Sequence, residues 1–322
     1  MGKKRSSLKL PNTVWFVAHP YASPPRKDFV SNICLWNRTA PHHRKILQSF
    51  KATVVDNNSL VHNNQAITFV GEWDCCSSFT LNKNRHPFNR THVPIYSHLD
   101  KRVCCLNTDP YVFGKEFYYV CCKLPKIFNK IRIGDIVIFG SFTMSKRKVD
   151  KMLVDTILVV GEKILASDIH SHRFSPCFED VTLSRSMKII KDGIIIGKMF
   201  DTTKDYQANI PFSFVPCRRE GLMDKAIIDR HLKIKELKGG PFKIGQNGGH
   251  IDVADINDVF RGIVQAIQTA GFELGVKMPE PSLTSTNSII NTEGNKIFNQ
   301  QKHNCHEKNT DSCGNCTPGS CC

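Results

Sequence analysis

Two apolar runs joined by a short basic connection constrain this chain more than any other feature: "IRIGDIVIFGSF" and "MLVDTILVVGEKI". In the first, a Gly134-Asp135 turn precedes Ile136-Val137-Ile138-Phe139, and Gly140 breaks the run. β-branched and aromatic residues at this density fit a pleated, half-buried surface and read as strand. Lys146, Arg147, Lys148 and Lys151 sit at or near the connection. Closely spaced β segments joined by turns favour a small antiparallel sheet or barrel over a parallel α/β sheet.

The remaining segments extend this reading. "TVWFVAHPYAS" is a strand ending in a turn, and "HHRKILQSF" is read as a short helix. "KATVVDNNSLVHNNQAITFVGEW" reads as strand, Asn57-Asn58 turn, strand. "MKIIKDGIIIGKMF" reads as two short strands around Asp192-Gly193, and "IPFSFVPC" as another strand bounded by Pro211 and Pro216. Asp255 can cap a helix whose Ile256, Val259, Phe260, Ile263, Val264 and Ile267 form one apolar stripe, with Gly271 as its stop. The expected fold is α+β and β-rich, with added helices. Residues 1–12 read as a disordered basic leader, 13–278 as one globular domain with a sub-boundary near 165–185, and 279–322 as a disordered, polar, Cys-rich tail.

Hydrophobic residues make up 40% of the 322 positions and charged residues 23%, enough for a packed core. No apolar run reaches the ~18 residues that cross a bilayer, so no membrane partner is expected. No signal-peptide core follows the basic N-terminus, which gives a cytoplasmic expectation. Three of the four adjacent pairs (Cys75-Cys76, Cys104-Cys105 and Cys121-Cys122) hold six of the fourteen cysteines. Adjacent cysteines bridge each other only with strain, so buried thiols in a reducing compartment are expected.

The net charge of +15 is uneven: residues 1–45 hold nine Lys/Arg against one acid, and residues 111–160 hold nine against four. Such patches attract phosphate backbones, so RNA or DNA is the expected partner. Arg132 and the Lys146-Arg147-Lys148 turn are the candidate phosphate contacts.

Two segments, "FVGEWD" and "LNTDPYVFGKEFYY", mix rings with carboxylates. Flat bases are gripped by stacking and read by polar edges. Trp73, Tyr111 and Phe113 are the candidate stacking residues, and Glu72, Asn107 and Asp109 the candidate readers, of one open pocket. The alternative is a metal-dependent hydrolase acting on nucleotides or nucleic acid, with Glu72, Asp74, Asp109 or Asp155 as acid, base or ligand. A third reading is an interaction protein with a zinc-binding tail. In "HNCHEKNTDSCGNCTPGSCC", Cys305, His306, Cys313, Cys316 and Cys321 offer thiolate and imidazole ligands around one C-x-x-C. His42-His43 and His170/His172 read as loop histidines, although H-x-H on a strand puts both rings on one face. The chain has no Walker loop, no dinucleotide-binding glycine fingerprint and no nucleophile elbow.

"FVGEWD", "LNTDPYVFGKEFYYVCC" and "VDTILVVG" resemble motifs of an uncharacterised group of bacterial proteins, over roughly residues 14–275. "IRIGDIVIFGS" followed by a second strand resembles the turn-and-strand signature of PUA-like barrels, which include ASCH, EVE and YTH domains. That resemblance implies a PUA-like barrel and an aromatic pocket for RNA or modified bases, with Trp73, Asn107, Asp109 and Tyr111 among its lining residues.

Overall fold

The computed structural model describes residues 12–20, 44–73, 77–81, 90–96, 108–121, 124–145, 148–201, 210–219 and 249–283. The fold is β-rich, with two sheets and few helices. The strands are β1 (Asn12–Pro20), β2 (Arg44–Val55), β3 (Val61–Glu72), β4 (Ser77–Leu81), β5 (Arg90–Tyr96), β6 (Tyr118–Tyr119), β7 (Ile136–Ser145), β8 (Lys148–Leu165), β9 (Gly193–Gly197), β10 (Val215–Arg219), β11 (Gly249–Val253), β12 (Glu273–Lys277) and β13 (Ser282–Leu283).

The first sheet runs β11-β1-β7-β8-β9-β6. β7 and β8 form the long antiparallel hairpin expected from their apolar runs, with Ile136 opposite Val159. β1 lies parallel to β7, Val14 opposite Ile136, and antiparallel to β11. Alternation along β1 feeds two cores. Val14 and Phe16 join one cluster with the helix Ile256–Thr269, while Trp15 and Val17 join the other, which contains the ring-rich segments. Pairing of β8 with β9 spans residues 165–185, so the segment between them is a connection within one sheet.

The second sheet contains a four-stranded antiparallel barrel. β2 pairs with β3, β3 with β10, β10 with β12, and β12 returns to β2. Closure leaves none of these four strands as a free edge within the ring. Val54, Ile67, Phe69, Val215, Cys217 and Leu274 are buried among these strands. The Gly275 backbone passes so close that an added Cβ would stand 2.9 Å from a Val215 methyl. β5 adds in parallel to β2 and antiparallel to β4. The Gly-Asp strand that carried the PUA-like resemblance, β7, belongs to the open first sheet and not to this closed ring.

Three local expectations differ from the structure. The strand expected between Pro211 and Pro216 is displaced: β10 runs Val215–Arg219 and contains Pro216, which sits opposite Leu274. "RKILQSF" is the first half of β2 rather than a helix, because Ile46 and Leu47 are buried against the neighbouring strands of the sheet. Residues 187–189 form a turn rather than a strand, and β9 finds its partner in β8. They follow a helical stretch made of Pro176–Phe178, a π-turn Glu179–Leu183 and Ser184–Ser186, with Ser175 accepting from Phe178 N–H at 3.3 Å. The other helices include α1 (Leu124–Ile127) and the expected amphipathic helix, Ile256–Thr269. Asp255 caps the latter by accepting from the Asn257 and Asp258 amides, and Phe260, Ile263, Val264 and Ile267 are buried. Among the described residues no helix is long and apolar enough to cross a membrane.

Candidate functional site

The two ring-and-carboxylate segments meet, but in the interior. Trp73 and Phe113 contact edge to face with centroids 5.2 Å apart, and Phe113 contacts Tyr111 at 5.7 Å. Tyr111 continues to Phe178, which stacks on Tyr118 at 4.0 Å; Phe174 and His172 extend the array outward. Trp73 and Tyr111 are 0% exposed and Phe113 is 1% exposed. The expectation that these rings line an open pocket is therefore corrected. Edge-to-face packing satisfies their quadrupoles among themselves, and they serve as core.

The acids of those segments are also occupied. Asp109 is fully buried, and its carboxylate accepts from the amides of Val120 at 2.8 Å and Cys121 at 3.1 Å and from the Cys121 thiol. It ties the turn to the strand that follows, which is a structural use of the charge. Glu72 is buried at the end of β3. Asn107 and Asp74 lie outside the described residues, as do Lys146, Arg147 and the candidate zinc ligands Cys305, His306, Cys313, Cys316 and Cys321. Lys148 opens β8 opposite Ser145. Asp155 is buried in β8, next to Thr156 and Ile157, and Glu162 is exposed at the far end of the strand. Among the described residues no three His, Cys, Asp or Glu side chains are grouped to hold a metal ion. His170 and His172 belong to a short 3-10 turn and its C-cap, not to a strand, so the two rings do not share a strand face.

Arg132, the first candidate phosphate contact, is committed elsewhere. Its Nη2 donates to Thr13 Oγ1 at 3.1 Å, and that hydroxyl donates to Asp252 Oδ1 at 2.8 Å. Beside it, Asp135 is fully buried and accepts from the Thr13 amide, the Trp15 indole and the Arg132 amide.

A wider pattern emerges from these partners. Six described carboxylates are buried: Asp56, Glu72, Asp109, Asp135, Asp155 and Glu273. Asp56, Asp109 and Asp135 accept from backbone amides, and also from the His62 ring, the Cys121 thiol and the Trp15 indole respectively. None of the 15 Lys and Arg residues with described side chains is buried. Those 15 face 17 acids, a balance of −2; setting the six buried acids aside leaves 15 against 11 on the surface. The whole chain has 44 Lys/Arg and 29 Asp/Glu, so the other side chains carry 29 against 12, or +17.

One group of described cations lies at and near Phe128 in the sequence or by contact. Lys126 and Lys130 flank it in sequence and are exposed. Lys163 lies over its ring at 4.4 Å and donates to the carbonyls of Phe128 at 2.6 Å and Ile131 at 2.9 Å, closing the end of α1. Burial pushes the Lys163 ammonium below the usual lysine range, partly offset by the Asp135 charge. The turn into β9 also lies against Phe128: a Cβ on Gly193 would lie 2.6 Å from Cζ. Lys188 and Lys191, both exposed, precede that turn. The sequence marks "KLPKIFNKIR" as basic but does not attach the turn before β9 to it, because the approach of Gly193 to Phe128 joins residues 65 positions apart.

Two further sites carried no sequence signal. Ser77 Oγ and His92 Nδ1 lie 2.7 Å apart between β4 and β5, a serine–imidazole pair closed to solvent at 4% and 8% exposure. At the end of the barrel a cleft of ≈ 290 Å³ is lined by Asn57, Arg218, Gly271 and Glu273. There Arg219 forks onto Glu273 at 3.0 and 2.5 Å, which raises the Arg219 pKa, and Arg218 lies 4.9 Å from the Phe272 ring centroid. Comparison with known proteins returns no matching family model, curated protein or solved structure.

Proposed function

We propose that this chain binds nucleic acid through its phosphate backbone, using the basic ridge around Phe128 together with the strongly basic segments of the sequence. One observation carries the reading: six described carboxylates are withdrawn into the interior, while the described lysines and arginines stay at the surface. Positive charge left uncompensated outside is what a polyanion meets first. Lys126, Lys130, Lys188 and Lys191 are the described residues assigned to phosphate. Base stacking on Trp73, Tyr111 or Phe113 is not part of this reading, since those rings are packed in the core.

Fluorescence anisotropy of labelled duplex and single-stranded DNA and RNA, titrated at several salt concentrations, tests it. Binding should weaken linearly in log–log form with salt. The combined K126E/K130E/K188E/K191E variant should lower the slope by about 0.9 for each duplex phosphate that is no longer neutralised, or ~0.7 for single strands. Absence of salt-sensitive binding, or an unchanged slope in a folded variant, rejects the assignment.

A further inference from the structure

Residues 278–283 connect the last barrel strand to the edge of β5. Their attachment is of three kinds. Met278 is fully buried among the ring cluster and its carbonyl accepts from the Gly114 amide at 2.8 Å. Pro281 is buried. Ser282 and Leu283 then pair in parallel with Ile95 and Tyr96, over two residues that are themselves exposed.

Glu280 sits between these anchors and does not help them. Its Oε1 is shut off from solvent and has no hydrogen-bond partner. It presses on Gly114, whose φ of +85° and whose crowding leave no room for a side chain: a Cβ there would stand 2.9 Å from Oε1 and 3.1 Å from Cγ. Tyr96, Tyr111 and Tyr118 have hydroxyls pushed up in pKa first by burial and then by nearby groups that include the Glu280 charge. Tyr118 donates to Glu116 at 2.5 Å, and the Tyr111 hydroxyl is buried beside the Cys177 thiol and Ser175 with no hydrogen bond of full geometry. A buried acceptor with no donor loses its hydration and gains nothing in return, and that loss is recovered when the group reaches water.

We infer that residues 278–283 act as a strap, opening by local unfolding while the four-stranded barrel stays closed, and that this opening is the route by which solvent and small molecules reach Tyr111 and Phe113. The anchors are few and short, as expected of a low-stability unit, and the one charged residue in the strap favours the open state. The inference is independent of nucleic-acid binding, because it concerns access to the ring cluster and not the basic ridge.

Hydrogen exchange on the full chain reads the strap directly. The Gly114 amide is bonded to Met278, whereas the neighbouring Tyr111 and Tyr118 amides are bonded to each other's carbonyls. Gly114 should exchange at least ten-fold faster than that pair. Glu280→Ala, which removes the unpartnered Oε1, should slow Gly114 about three-fold or more and leave Tyr111 and Tyr118 unchanged. Nitration of Tyr111 by tetranitromethane should slow by the same factor. Exchange of Gly114 in step with Tyr111 and Tyr118, faster Gly114 exchange in E280A, or nitration that ignores the substitution would each overturn the strap.

Discussion

The indole Nε1–H of Trp15 donates to Asp135 Oδ2 at 2.9 Å, joining residues 120 positions apart. The same carboxylate takes the Thr13 amide at 2.9 Å and the Arg132 amide at 3.0 Å, so it pins the start of β1 to the turn before β7. Asp135→Asn turns one acceptor into a donor that faces donors. Hydrogen bonds to charged groups contribute about 1.5–3 kcal/mol each, so loss of roughly 3 kcal/mol or more is expected. Chemical denaturation should show a lower midpoint with an unchanged slope, and Trp15→Phe should cost less, about 1–2 kcal/mol.

Trp73 is core, and substitutions there should behave accordingly. Trp73→Ala should cost about 3–5 kcal/mol in stability. Trp73→Phe should cost far less and leave nucleic-acid affinity within two-fold of wild type by anisotropy. Selective loss of binding by a folded Trp73→Phe protein would return the ring to a ligand site.

Gly193 is the least replaceable glycine described. A Cβ at this position would lie 2.0 Å from the Ile164 carbonyl oxygen and 2.6 Å from Phe128, at a φ of +153°. Neither the β8 backbone nor the ring packed beneath Lys163 can retreat without breaking the hairpin. Gly193→Ala should lose more than about 3 kcal/mol, seen as a fall in thermal midpoint and in soluble yield.

Asp56 supplies a pH signature. Burial raises its pKa, but the His62 ring at 2.8 Å and the amides of Leu60 and Asn58 outweigh burial and hold it below the usual carboxylate range. A depressed folded pKa contributes stability that is complete above the unfolded value of about 3.9 and is lost as pH falls through the folded pKa. Stability measured against pH should therefore decline below about pH 4, and Asp56→Asn should flatten that decline while lowering the plateau at neutral pH. A decline of undiminished steepness in the variant would assign it to other carboxylates.

Elements with local signals were legible in the sequence. The β7–β8 hairpin, the Asn57-Asn58 turn and the capped helix 256–269 each carry their periodicity and their stop residues within a short window. Barrel closure was not, because nothing near β2 announces β12, its partner from the far end of the described chain. The start of β2 is ambiguous for a related reason: its polar residues look helical until Ile46 and Leu47 have strands to pack against. Convergence of Trp73 with Tyr111 and Phe113 was readable, but their depth was not. Rings beside an acid look alike whether the acid awaits a ligand or, like Asp109, is claimed by the amides of Val120 and Cys121.

The β2–β12 pairing sets a timetable for biosynthesis. Val55 and Leu274 are partners 219 positions apart. At ~5–20 residues per second the ribosome needs roughly 10–45 s to deliver the second after the first. Throughout that interval the β2–β3 hairpin presents a ladder of unclaimed amides and carbonyls with its apolar face only partly covered. The nascent chain thus carries an open sheet edge well before it is a finished protein, and conditions that slow elongation should tax its yield more than its final stability.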